Sequence, residues 1–199
     1  MALSYKQFTP TKTSGFIDKL NKAQKVHGLN KKTTKILGQN LSFAPGWMRV
    51  ECEDYAEMPH IKQSYLANEV NIVPFVYGPD PRNDMCKDMT LDIHAENIMD
   101  YLTLYFTAYL QNGERITPVF HTDDIDWQDD IPPMLKKSLE GDFAKYPQIV
   151  TLDGRLRVKF LCVFHQSIMQ ITCFVDDHGL VEMTDRVVLT DDLPIKHLP

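Results

Sequence analysis

Apolar and polar positions separate most clearly between His94 and Gly113, HAENIMDYLTLYFTAYLQNG. At a helical advance of about 100° per residue, Asn97, Asp100, Thr103, Thr107 and Gln111 fall on one narrow stripe. Ile98, Met99, Tyr101, Leu102, Leu104, Tyr105, Phe106, Ala108, Tyr109 and Leu110 fill the rest of the circumference. A surface helix shows the reverse proportion, so the pattern predicts a central helix covered on most sides. Asp92 or His94 is suited to cap its start, and Gly113 after Asn112 to end it. The apolar run is too short for a membrane span, and Asp100 interrupts it.

From Gln148 onward the period changes to two. Asp153-Gly154 is a strong signal for a two-residue hairpin turn, and it places Ile149 opposite Val158 and Thr151 opposite Leu156. Leu156, Val158, Phe160, Cys162 and Phe164 then share one face. Joining that face to Met169, Ile171, Cys173 and Val175 requires an even loop, either Gln166-Ser167 or Ser167-Ile168. The second choice sets Cys162 opposite Cys173. At the next turn, Asp177-His178-Gly179 suits a loop with glycine in the left-handed conformation. That turn pairs Val175 with Val181, Cys173 with Met183, Ile171 with Asp185 and Met169 with Val187. The prediction is a four-stranded antiparallel meander over residues 148–189, with one face apolar except for Asp185. Packed on the central helix, it makes the fold class α+β.

The earlier stretches are less regular. Residues 1–13 read as extended or disordered. A short amphipathic helix runs from Ser14 to about His27, closed by Gly28, with Phe16, Leu20, Ala23 and His27 along one face. A second short helix is expected over Lys31–Leu37. Trp47–Asp54 alternates as a strand, although the same residues tolerate a helix ending before Pro59, and Glu69–Val76 is a strand that Pro74 sends to an edge. Tyr77–Asp88 is a polar loop by composition. Beyond the central helix, Arg115–Phe120 is a further edge strand marked by Pro118. The acidic run His121–Asp130 leads to a helix capped by Asp130, whose buried side is Met134, Leu135, Leu139 and Phe143.

Composition changes this picture in two ways. Residues 1–35 hold eight lysines against Asp18 alone, a formal charge of +7 on a chain of net charge −6. The chain is therefore expected to divide into a Lys-rich arm over residues 1–35 and a single α+β domain over 36–199. Such an arm docks on its own acidic body, on a protein partner or on a polyanion. It lacks the arginines that fork onto phosphates, and the body is acidic, so nucleic acid is disfavoured. Cys52, Cys86, Cys162 and Cys173 lack CxxC spacing, which speaks against structural zinc and a disulfide framework. No secretory signal is visible at the start, so a cytoplasmic location is the default expectation.

Candidate chemistry gathers at three places. The register makes Asp185 an inward-facing carboxylate, and buried acids are over-represented in functional pockets unless a structural partner or a bulge accounts for them. The second place is the start of the central helix. That helix rises about 25 Å, and a strand returning beside it covers roughly 20 Å. His121, Asp123 and Asp124 then come back near Asp92 and His94, a set able to bind a divalent metal or to move protons. The third is a ladder of Tyr101, Tyr105 and Tyr109, whose hydroxyls need partners if buried. Cys162 and His165 do not form a dyad, because an offset of three on a strand puts them on opposite faces. Phosphate-binding loops, the dinucleotide fingerprint and the GxSxG nucleophile elbow are absent, and no cofactor is implied.

Three functions compete. One is a small-molecule binding domain whose mostly apolar pocket lies between sheet and central helix, with Tyr101, Tyr105 and Asp185 as its polar points. Another is a hydrolase, lyase or isomerase using acid/base or metal chemistry, with His94, His121, Asp124 and Asp185 as catalytic candidates and Asp92, His94, His121 and Asp123 as metal candidates. The last is an interaction protein that recognises a partner through its Lys-rich arm.

Overall fold

The computed structural model describes residues 5–23, 29–56, 59–111, 113–128 and 131–196. The fold class is α+β, and the chain divides into two compact units, Met1–Val76 with Met85–Thr90 and Tyr77–Asp84 with Leu91–Pro199.

In the first unit, β1 (Lys6–Gln7), β2 (Thr34–Asn40), β3 (Met48–Asp54), β4 (Ile61–Ala67) and β5 (Ile72–Pro74) form an antiparallel sheet in that order. Alternation puts Ile36, Val50, Cys52, Tyr65 and Ala67 on one face, where α1 (Pro10–Ala23) buries Ile17 and Leu20 against them. The Phe8 ring occupies the space that a side chain at residue 38 would fill, so β2 carries Gly38 there. The alternation of β3 and the edge position of β5 are as the pattern predicts.

Three readings need correction here. Residues 5–13 are not extended throughout: α1 starts at Pro10, which opens a first turn at no cost in hydrogen bonds. No second helix forms over Lys31–Leu37; Thr34–Asn40 is β2, where β-branched Thr34 and Ile36 face inward. Within the polar segment Tyr77–Asp88, Arg82–Cys86 makes one π-helical turn. The expected helix end at His27 and Gly28 lies outside the described residues.

The second unit holds α2 (Ile98–Ala108), a small hairpin of β6 (Leu110–Gln111) and β7 (Glu114–Arg115), β8 (Thr117–Val119), α3 (Pro133–Phe143) and the strands β9 (Gln148–Leu152), β10 (Arg155–Phe164), β11 (Ser167–Val175) and β12 (Val181–Thr190). The late strands make the predicted antiparallel meander. Along one edge, β9 pairs with the first part of β10 and β8 with its last part. Asp153 and Gly154 both take positive φ in the β9–β10 turn, and Thr151–Leu156 and Ile149–Val158 pair as the Asp-Gly signal requires.

The β10–β11 turn differs. Its loop is His165-Gln166, so Cys162 pairs with Met169 and not with Cys173, which stands opposite Val158. The loop is still even, so the predicted faces survive although the partners move.

Both faces of the central strands β10 and β11 are covered. Leu161, Val163 and Ile168 pack with Leu139 and Phe143 of α3 and with Ile125, Trp127, Leu193 and Ile195. The opposite face carries Phe160, whose ring centroid lies 5.3 Å from that of Phe106 on α2. Met134 is 83% exposed, not buried, because α3 turns Leu139 and Phe143 to the sheet instead. The proposed cap Asp130 lies outside the described residues, and Pro132 takes the cap position.

Candidate functional site

Helix α2 is covered as its composition demands: Ile98, Tyr101, Leu102, Leu104, Tyr105, Phe106 and Ala108 are all buried. Along its stripe, the hydroxyls of Thr103 and Thr107 donate to the carbonyls of Met99 and Thr103, one turn back. The cap position is Asn97, not Asp92 or His94. The Asn97 side chain accepts the His94 N–H at 2.9 Å and donates to the Asp92 carbonyl at 2.7 Å, tying the entering loop together. The helix ends at Ala108, ahead of the expected stop; Gly113 instead takes its positive φ before β7.

Asp92, His94 and His121 lie at the protein surface. Asp92 and His94 are exposed, and the His94 ring lies 3.0 Å from the Asn97 amide. His121 is exposed at the head of a 3-10 turn over Thr122–Asp124. Asp124 accepts the backbone N–H of Phe120 and His121, each at 2.8 Å, and Asp123 pairs with Lys136 at 3.4 Å. These carboxylates thus serve local turns and a surface ion pair. Among the described residues, no three His, Cys, Asp or Glu side chains are grouped to hold a metal ion.

The tyrosine ladder is built as spaced. Tyr105 and Tyr109 stack at 5.8 Å with ring planes 16° apart, and Tyr101 lies 6.2 Å from Tyr105. The Tyr101 hydroxyl donates to the Gly179 carbonyl at 2.5 Å, which joins α2 to the β11–β12 turn. Gly179 is at φ +76°, and Tyr101 and Leu91 fill the space where a side chain would sit, so that turn demands glycine twice over. Beyond α2, the Gly78 N–H donates to the Ala108 carbonyl and the Gly78 carbonyl accepts the Leu110 N–H. The Arg115 guanidinium lies 4.6 Å over the Tyr77 ring.

Tyr105 is the group without a local task. It is 9% exposed, and its hydroxyl forms no hydrogen bond among the described residues. Burial, with Tyr109, Asp80 and Cys173 nearby, pushes its pKa up to about 12, so it stays a neutral donor. Burial likewise pushes the thiols of Cys162 and Cys173 up to about 12, which removes them as nucleophiles.

Asp185 is corrected. The register slips by one between Thr172 and Cys173, leaving Thr184 as an extra residue on β12. Val175–Val181 and Cys173–Met183 pair as predicted, but beyond the bulge Asp185 stands opposite Thr172 and Arg186 opposite Ile171. Asp185 is therefore exposed on the α3 side, and the charged group that joins the α2 face is Arg186, near enough to influence Cys162. One extra residue exchanges an acid for a base. Nothing in the alternation of VEMTDRVVLT marks it, although paired polar residues in the middle of a strand are the kind of place where bulges fall.

The described helices include none long and apolar enough to cross a membrane. Comparison with protein-family models, with curated proteins and with solved structures finds no match.

Proposed function

We propose that the second unit binds a small amphiphile on the sheet face that carries α2. The observation behind this reading is Tyr105, a side chain only 9% exposed whose hydroxyl forms no hydrogen bond among the described residues. A ligand oxygen accepting from this hydroxyl anchors the polar end of the ligand at the rim of the apolar face. The apolar body of the ligand suits Met183 and Val188, which share this face and reach solvent beside the buried Ile171 and Cys173. The sulfur of Met183 adapts readily to varied shapes. Arg186 on the same face favours an acceptor that is anionic, so a carboxylate-headed chain is the best-matched class. Tyr101, committed to Gly179, shapes the turn and does not contact ligand.

Titration of the full chain with dodecanoate, followed by calorimetry, tests this. Tyr105→Phe is expected to weaken binding about five- to tenfold, equivalent to about 1–1.4 kcal/mol. Arg186→Gln is expected to abolish the preference for dodecanoate over dodecanol. Heat of binding for neither compound, or equal affinity in Tyr105→Phe, overturns the reading.

A further inference from the structure

A second site lies in the first unit, on the sheet face turned away from α1. There β2 and β3 set Gln39 directly opposite Arg49. Gln39 is 7% exposed, and the Arg49 side chain is 14% exposed. Most of the guanidinium is accounted for. Arg49 Nη2 lies 3.1 Å from Glu51 Oε1, and the Arg49 Cζ lies 4.7 Å from the centroid of the Phe75 ring. The same Glu51 oxygen accepts the Tyr5 hydroxyl at 2.9 Å.

Two buried atoms remain without a hydrogen-bond partner among the described residues: Gln39 Oε1 and Arg49 Nε. Their needs are complementary. The amide oxygen lacks a donor and the guanidinium nitrogen lacks an acceptor. They stand on directly opposed residues of one pleated face, where Cβ atoms lie about 5 Å apart, yet they do not bond each other. A carboxylate satisfies Arg49 but gives Gln39 nothing, and an ammonium does the reverse. A hydroxyl accepts from one and donates to the other at once. Buried polar atoms in folded proteins are, with few exceptions, matched in some such way.

We infer that Gln39 and Arg49 form a site for a single hydroxyl group, supplied by water or by an alcohol or sugar, that accepts from Arg49 Nε and donates to Gln39 Oε1. The site is in the first unit and does not depend on the amphiphile reading of the second.

Its test is a sign. With the hydroxyl in place, Gln39→Met strands Arg49 Nε, and the unfolding equilibrium of the full chain in urea shifts about tenfold toward the unfolded state. If the two atoms are merely orphaned, the same change deletes an unsatisfied acceptor and leaves the midpoint unchanged or raised. That result overturns the inference. A crystal structure of the unsubstituted chain decides independently of how the variant folds. Density within hydrogen-bond distance of both atoms supports the site, and none there overturns it. A native mass equal to the bare chain then assigns the hydroxyl to water, and an added mass lost in Gln39→Met assigns it to an organic alcohol.

Discussion

From Thr34 to Ala67 the sheet of the first unit keeps a single unbroken register, whereas the sheet of the second changes register twice along β12. What lies inside them differs too. The first buries Thr34, Gln39 and Asp54 within its strands, while Thr172 is the one buried polar residue in the strands of the second, among the described residues. Asp54 accepts from the Thr33 hydroxyl at 2.6 Å, the Thr34 hydroxyl at 3.1 Å and the N–H groups of Asn30 and Ala56 at 2.9 and 3.0 Å. A slip of one residue there costs a buried carboxylate its donors from Asn30, Thr33 and Thr34. A shift by two in the second sheet exchanges Ile, Met and Val for one another and costs little. Polar interiors pin the pairing of strands; apolar ones pin only which face is inside.

Substitutions that strike each kind of interior separately sharpen the contrast. The largest effect is expected from Phe160→Ala, which opens a cavity under Phe106 and lowers stability by about 3–5 kcal/mol in urea denaturation. A loss under 1 kcal/mol means that α2 does not rest on that face. Next comes Asp54→Ala, expected to cost roughly 2–4 kcal/mol through its stranded hydroxyl and N–H donors.

The acid dependence of Asp54 follows from its surroundings. Burial works to raise its pKa, but the hydrogen bonds from Thr33, the N–H groups of Asn30 and Ala56, and Thr34 prevail and hold it below the ordinary aspartate value. The folded form thus binds its proton more weakly than the unfolded chain. Its stabilisation is complete above the unfolded pKa and is lost as pH falls through the folded one. The stability gap between the natural chain and Asp54→Asn is expected to be constant above about pH 5 and to shrink below about pH 4. A gap that widens in acid reverses the assignment.

The smallest effect belongs to Asp185→Asn, expected within about 0.5 kcal/mol of the natural chain because the carboxylate is exposed. A change several times larger, in either direction, returns Asp185 to the interior and removes the bulge.

The same contrast explains what could be read from residues alone. Ile98–Ala108 announced a covered helix because apolar side chains leave only a stripe for water. The late strands were legible because alternation and Asp153-Gly154 both depend on local geometry. Lys31–Leu37 was misread: lysines ahead of Ile36 and Leu37 fit a helix as well as a strand, and only tertiary pairing decides. Arg186 was missed because a bulge adds a residue without breaking the pattern. Gln39 and Arg49 alternate correctly as outward positions, and what buries that face is not encoded nearby. The histidines and aspartates before α2 and after β8 drew attention by residue type; the Asn97 side chain ties the Asp92–His94 loop, and Asp124 closes the turn after β8.

The irregularities of β12 have a consequence for the chain in a crowded solution. This strand ends its sheet, and it shows Val187, Val188 and Leu189 to solvent, a composition that invites another strand to zip alongside. Thr184 and Leu189 each stand outside the ladder, which leaves only Asp185–Val188 between them in even step. A straight newcomer finds too short a run of free amides and carbonyls to hold, so the two interruptions guard against edge-to-edge aggregation.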